Sequence, residues 1–173
     1  MGIDMVNFKT RCGTEFYIDE DIFQEICKFT WRVSKDGYIF RKTTIGGKKG
    51  RNLMLHRVVL RQSDPTKLVD HIDGNKLNNL RSNLRIASKG ENTCNQMKTS
   101  NTSSQFKGVT LLKKNKWRAQ IQINKKRFYL GEHDNEHDAA HAYNKAAIRL
   151  HGDFARLNPV GFKGDCLSSG DKT

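Results

Sequence analysis

The chain has 173 residues, with 31 Lys and Arg against 18 Asp and Glu, for a formal net charge of +13 and a pI near 9.8. That length suits one ordinary domain or two small ones, and 36% hydrophobic residues exclude disorder along the whole chain. No apolar run is long enough to span a bilayer and no signal peptide is marked, so a soluble, intracellular protein without a membrane partner is expected.

The charge is uneven: residues 1–34 are net −2, residues 35–101 net +9 and residues 102–173 net +6. So large an excess on a short chain exceeds what solubility needs and points to a polyanion, nucleic acid before an anionic membrane surface. Cys12, Cys27, Cys94 and Cys166 are scattered without a Cys-x-x-Cys pair, so no zinc ribbon or knuckle is supported and free thiols are expected.

In chain order, "TEFYIDED" and "WRVSKDGYIFRK" alternate apolar and polar positions as strands do, and Asp36-Gly37 suits a hairpin turn. "GGKKG" at 46–50 reads as a flexible basic loop. "LMLHRVVLRQ", from Leu53, reads as a strand end passing into a short helix that stops before Asp64-Pro65. This opening section is read as scaffold.

Residues 68–97 carry the chemistry. Leu68-Val69 starts a strand that leads into Asp70-His71, and Asp73-Gly74 offers a turn. Asn75, Asn78 and Asn79 read as loop formers, because Asn readily bonds its own backbone. A second short strand, "LRIA", is followed by Ser88 and Glu91 in capping-box spacing, which places Asn92 in the first turn of a helix. Asp70 and Asn92 offer oxygen ligands to a hard divalent ion such as magnesium or manganese. His71 titrates in the range needed to take a proton from water, so the three together suit phosphodiester cleavage.

Residues 98–105 are polar and suit a linker. "FKGVTLL", "KWRAQIQI" and "RFYLGEH" then read as three strands. From Asn135 to about Leu150 the spacing is helical, with Ala139, Ala142, Tyr143, Ala146 and Leu150 on one face, Asn135 as cap and Gly152 as stop. On the middle strand, period two turns Lys116, Arg118, Gln120 and Gln122 outward, joined by Arg127, Tyr129 and the loop lysines Lys113 and Lys114. Such a face suits a DNA groove; a merely solvated charged face is the alternative.

Two stretches carry family resemblances. "LHRVVL" followed by "LVDHIDGNKLNNLRSNLRIASKGEN", from about Leu53 to Gln96, resembles the HNH nucleases of the phage and intron-borne homing branch. The resemblance implies a ββα-metal fold with His71 as general base and Asp70 and Asn92 as ligands of one Mg or Mn ion. It also implies that Asn83 holds the base and its loop, with an accessory place for His56 and Arg57. No structural zinc is carried over. "SSQFKGVTLLKKNKWRAQIQINKKRFYLGEHDNEHDAAHAYNKAAIRLHGDFARLN" looks like an apetala-two/ethylene-response-factor DNA-binding domain. Its implied contact set is Lys107, Thr110, Leu112, Lys114, Lys116, Gln120, Gln122, Arg127 and Tyr129. Thr110, Leu112, Lys114 and Gln122 replace family arginines and a tryptophan, so DNA binding transfers and the plant recognition sequence does not. His133, His137 and His141 recur every four residues, but they fall around the helix of a domain that needs no metal.

The expectation is an α+β chain with an HNH nuclease domain over 1–97 (core about 53–97), a linker over 98–104, an apetala-two-like domain over 105–159 and a polar tail over 160–173. Its expected function is metal-dependent hydrolysis of double-stranded DNA inside the host cell of a phage or mobile element, as monomer or homodimer. The alternative is a non-enzymatic, sequence-specific DNA-binding regulator with a degenerate nuclease core.

Overall fold

Alternating apolar side chains build the first hairpin, β1 (Met5–Lys9) on β2 (Glu15–Asp19), which places Val6 opposite Ile18 and Phe8 opposite Phe16. The structure is a computed structural model that describes residues 5–45, 48–98 and 103–161; the chain divides into two units, Met1–Gln96 and Met97–Thr173. Most of the expected linker and tail lie outside the described residues.

In the first unit, α1 (Phe23–Ile26) follows the hairpin and leads to an antiparallel sheet in the order β3-β4-β5. Its strands are β3 (Arg32–Val33), β4 (Ile39–Ile45) and β5 (Lys48–Met54). The turn from β3 to β4 uses Gly37 at φ +85°, the left-handed region where glycine is unstrained. β5 begins at Lys48, so part of the expected loop is paired strand, with Lys48 opposite Ile45 and Lys49 opposite Thr44. Cross-strand pairing outweighs the weak strand propensity of a Gly-Lys sequence there. Without a loop, β5 becomes α2 (Leu55–Val59), and β6 (Leu68–His71), β7 (Leu84–Ala87) and α3 (Lys89–Asn95) complete the unit. Phe16, Ile18, Ile26, Trp31, Ile39 and Leu55 are fully buried in the same core as Val69 and Leu84 of the β6–β7 hairpin. The opening section is therefore the wall against which that hairpin packs. Each large apolar side chain buried there stabilises the unit by roughly 1.5–3 kcal/mol.

The second unit is a sheet in the order β8-β9-β10 packed on one helix. β8 is Val109–Leu111, β9 is Trp117–Ile123, β10 is Lys126–His133 and α4 is Glu136–His151. Asn124 and Lys125, both at positive φ, make the tight β9–β10 turn. The helix buries Ala139, Ala140, Tyr143, Ala146 and Ala147. Leu150, expected on that face, is 38% exposed in the last turn, because the buried stripe ends one turn earlier at Ala147. Gly108 has φ +73°, and a Cβ there would overlap the Tyr143 ring and the Gln120 carbonyl. The "KGV" glycine is required for that close approach. Helices and antiparallel sheets together make the chain α+β.

Candidate active site and nucleic-acid face

The β6–β7 register decides what surrounds Asp70. It places Arg85 directly opposite, and Arg85 Nε and Nη2 donate to Asp70 Oδ2 at 2.9 and 2.8 Å. This is a nearly buried, charge-assisted pair across two strands. The following helix is started by Ser88, whose Oγ accepts from Glu91 N at 3.3 Å while Glu91 Oε2 accepts from Ser88 N at 2.7 Å. The helix meets Asp70 through its last residue. Asn95 Nδ2 lies 3.2 and 3.0 Å from the two Asp70 oxygens and donates to the His71 carbonyl at 2.8 Å. Asn92, expected opposite Asp70, sits one turn earlier at i, i+3 spacing from Asn95. It is partly buried, and its side-chain amide has no hydrogen-bond partner among the described residues.

The loop after His71 is held from two sides. Asn83 Nδ2 donates to Asp73 Oδ1 and to the Asn78 carbonyl, both at 2.9 Å, and Asn83 Oδ1 accepts from Asp73 N at 3.0 Å. Asn75 and Asn78 accept from nearby backbone N–H groups, as turn-forming asparagines do. Asn79 departs from the loop-former reading. It is fully buried, and its Oδ1 lies 3.4 Å from His71 Nε2. Its backbone N–H donates to the Tyr17 carbonyl at 2.9 Å, and Tyr17 N donates to the Leu77 carbonyl at 2.9 Å. Asp19, also on β2, accepts from Arg81 N at 3.0 Å. Thus β2 clamps the segment that presents Asn79 to His71.

His71 is 4% exposed, and burial holds its pKa below the usual histidine value; the Asn79 contact and the charges of Asp73 and Asp70 oppose this shift. Its ring meets His56 edge-on, with centroids 5.3 Å apart, and Tyr38 stands 5.3 Å from His56. Burial, helped by the charges of His71 and Arg57, lowers the His56 pKa to about 3, and its buried Nδ1 has no hydrogen-bond partner among the described residues. Arg57 donates to the carbonyls of Lys67 and Asp64 at 2.9 and 2.6 Å, fastening α2 to the loop before β6. Among the described residues no group of three or more His, Cys, Asp or Glu is arranged so that these side chains alone could hold a metal ion. A metal ion at this place would be held by the Asp70 carboxylate, an amide oxygen and oxygens of a substrate. That donor set fits magnesium or manganese, which use one or two carboxylates and keep water or phosphate oxygens.

On the second unit, the outward face of the sheet pairs Gln122 with Arg127, Gln120 with Tyr129, and Thr110 with Arg118. Lys114 lies in the 3₁₀ turn Lys113–Asn115, and partly buried Leu112 precedes it. The backbone of Lys107 is locked by Asn158, which accepts from its N–H at 2.6 Å and donates to its carbonyl at 3.0 Å. A bulge between Tyr129 and Gly131 reverses the alternation of β10 and turns Glu132 outward against Arg118. Arg118 Nη2 is 3.2 Å from Glu132 Oε1, and Lys116 pairs with Asp134. The histidine series does not share one helix: His133 ends β10, and only His137 and His141 lie on α4.

Sequence reasoning missed Arg85, Asn95, Asn79 and Glu132. The first two had signals, in the hairpin register and in the three-residue spacing from Asn92. The other two depend on β2 and on a bulge, which local pattern does not reveal.

Comparison with known proteins matches the HNH endonuclease family over residues 53–94 and the AP2 domain over residues 104–153. An uncharacterised HNH endonuclease of Acanthamoeba polyphaga mimivirus is 32% identical over 151 residues, covering 87% of this chain and 78% of that protein. Protein 3.8 of Escherichia phage T7 is 35% identical over 90 residues, 51% of this chain and 74% of that protein. APETALA2-like protein 2 of Oryza sativa is 45% identical over 69 residues, which are 38% of this chain but only 16% of the rice protein. The solved structure of DNA binding and cleavage by the HNH homing endonuclease I-HmuI aligns at 26% identity and a TM-score of 0.35, covering 53% of this chain and 57% of that one.

Proposed function

The chain belongs to the HNH endonuclease family and carries an AP2 domain on its C-terminal side, and we propose that it is a metal-dependent endonuclease that hydrolyses phosphodiester bonds of double-stranded DNA. In this reading the first unit has the ββα-metal arrangement, formed by β6, β7 and α3. The observation that carries the reading is a buried His71, whose pKa burial holds below the usual histidine value, joined to Asp70 at the end of one strand.

His71 takes the proton of the attacking water. Asn79 Nδ2 faces the Lys76 carbonyl at 3.3 Å, so its Oδ1 faces His71 Nε2. That arrangement favours the ring proton on Nε2 and leaves Nδ1 as the basic nitrogen. A magnesium or manganese ion held by Asp70 and Asn92 would supply charge neutralisation at the leaving oxygen. Arg85 and Asn95 orient the Asp70 carboxylate, and Asn83 keeps the loop from drifting away from the base. His56 and Tyr38 exclude water from the inner side of the His71 ring, while Arg57 fixes the approach to β6.

The second unit docks on the duplex through Lys107, Thr110, Lys114, Lys116, Arg118, Gln120, Gln122, Arg127 and Tyr129. Lysines neutralise phosphates, and Arg and Gln can form paired hydrogen bonds with base edges. Tethering raises the concentration of the nuclease unit near the bound site. The test is relaxation of supercoiled plasmid by the full chain in magnesium or manganese. It should stop with chelator and in Asp70→Asn. A chain that binds plasmid carrying its natural locus and never cuts it is a DNA-binding regulator instead.

A further inference from the structure

On the outward face of the β8-β9-β10 sheet, cations are distributed in two ways. At the β9–β10 turn, Lys125 and outward-facing Arg127 are exposed and have no carboxylate partner among the described residues. At the opposite end, Lys116 and Arg118 are each paired, with Asp134 and Glu132. The second pairing exists because of the β10 bulge. Strict alternation after Tyr129 would turn Glu132 toward the helix, whereas the register shift at Gly131 sets it directly across from Arg118. The side chains of Arg118 and Glu132 are 43% and 44% exposed, so the carboxylate stands on the surface that would meet DNA. Arg118 also lies 5.8 Å from the Tyr129 ring centroid, which holds the guanidinium over the sheet.

We propose that Glu132 and Asp134 are specificity-determining residues that restrain the DNA-binding sheet against random duplex. The inference rests on the reading of this sheet as the DNA face. Exposed ion pairs of this kind are individually weak, so they do not lock the face shut. Their effect is on the bound state. A phosphate approaching Lys116 or Arg118 meets a carboxylate that already neutralises the cation and repels the phosphate. Non-specific binding to random duplex is carried mainly by phosphates, and it gains little at this end. A target sequence can also offer base-edge donors, such as the cytosine amino group, which carboxylates accept. The carboxylates thus lower non-specific affinity more than specific affinity, selecting by disfavouring the wrong partner.

The test measures binding of the full chain to a labelled 20-base-pair random duplex in chelator, across a salt series, for wild type and Glu132→Gln/Asp134→Asn. Each phosphate newly neutralised steepens the slope of log K against log salt by about 0.9, so two freed cations predict a change of up to ~1.8. Affinity near 0.1 M salt should rise by up to about 60-fold by the same relation, taking 1 M salt as the reference. The single variants should each give about half the change, and thermal melts check that all remain folded. Glu20→Gln/Glu25→Gln carries the same charge change in the first unit and should leave the slope unaltered. An unchanged slope in Glu132→Gln/Asp134→Asn, or an equal shift in the control, overturns the proposal. Arg127→Ala separates the underlying reading: if it binds like wild type with the same slope, the sheet is not the DNA face and both ideas fall.

Discussion

A histidine that cannot take up a proton in the folded state makes a protein acid-sensitive, and His56 has that property. The residue is 8% exposed, its buried Nδ1 has no hydrogen-bond partner among the described residues, and burial lowers its pKa to about 3. In the unfolded chain the same group titrates near 6.5. Between these values the unfolded state binds a proton that the folded state refuses, so stability is lost as pH falls from about 6.5 toward 3. At 1.36 kcal/mol per pKa unit, the loss reaches about 2 kcal/mol at pH 5 and about 3.4 kcal/mol at pH 4. Small domains have only about 5–15 kcal/mol in total, so this share is large. His56→Leu removes the titration without abandoning a hydrogen bond at Nδ1. Urea unfolding would be followed by tryptophan emission in a Trp117→Phe background, so that buried Trp31 reports the first unit alone. Between pH 7 and 5 the wild type should lose about 2 kcal/mol more than His56→Leu, a difference of roughly 1–2 M in urea midpoint. His71 titrates in both proteins and cancels from the comparison. Equal losses in the two proteins would show that His56 is not the source of the acid sensitivity.

Three further outcomes are expected. Asn95→Ala removes the amide that meets both Asp70 and the His71 carbonyl, and should cost about 1–3 kcal/mol in urea unfolding while slowing cleavage. Gly108→Ala forces a Cβ into the Tyr143 ring at positive φ and should destabilise the second unit by about 2–3 kcal/mol, read as a lowered melting temperature with β6–β7 chemistry intact. The single-turnover cleavage rate should be flat through neutral pH and fall with unit slope only below the ordinary histidine pKa, because His71 is held neutral by burial. A fall beginning above pH 7 would contradict that assignment.

Local pattern made much of the chain readable. Period-two alternation gives β2, β4 and β9, and the Ser88–Glu91 box starts α3 where the spacing predicts. The Asn135 cap and Gly152 stop likewise bracket α4. What escaped sequence reading depends on contacts between distant segments. Asp19 accepts from Arg81 across 62 positions, and Asn79 is held by Tyr17, so the role of the opening hairpin in the site is invisible to any short window. Asn95 is one helical turn beyond Asn92, and only the packing of α3 on β6 shows which of the two touches Asp70. Glu132 changes faces through one extra residue, and alternation is the very rule that a bulge breaks.

Whether His71 is the base of a DNA-cutting centre is tested by cleavage of supercoiled plasmid carrying the natural locus, with magnesium or manganese, by wild type and His71→Ala. Binding of the same DNA by both proteins is measured in parallel. The expected result is equal binding, metal-dependent conversion to open-circle or linear product by the wild type, and a rate at least about 10²-fold lower in His71→Ala. Equal cleavage by the two proteins, or firm binding with no cleavage by either, would contradict it.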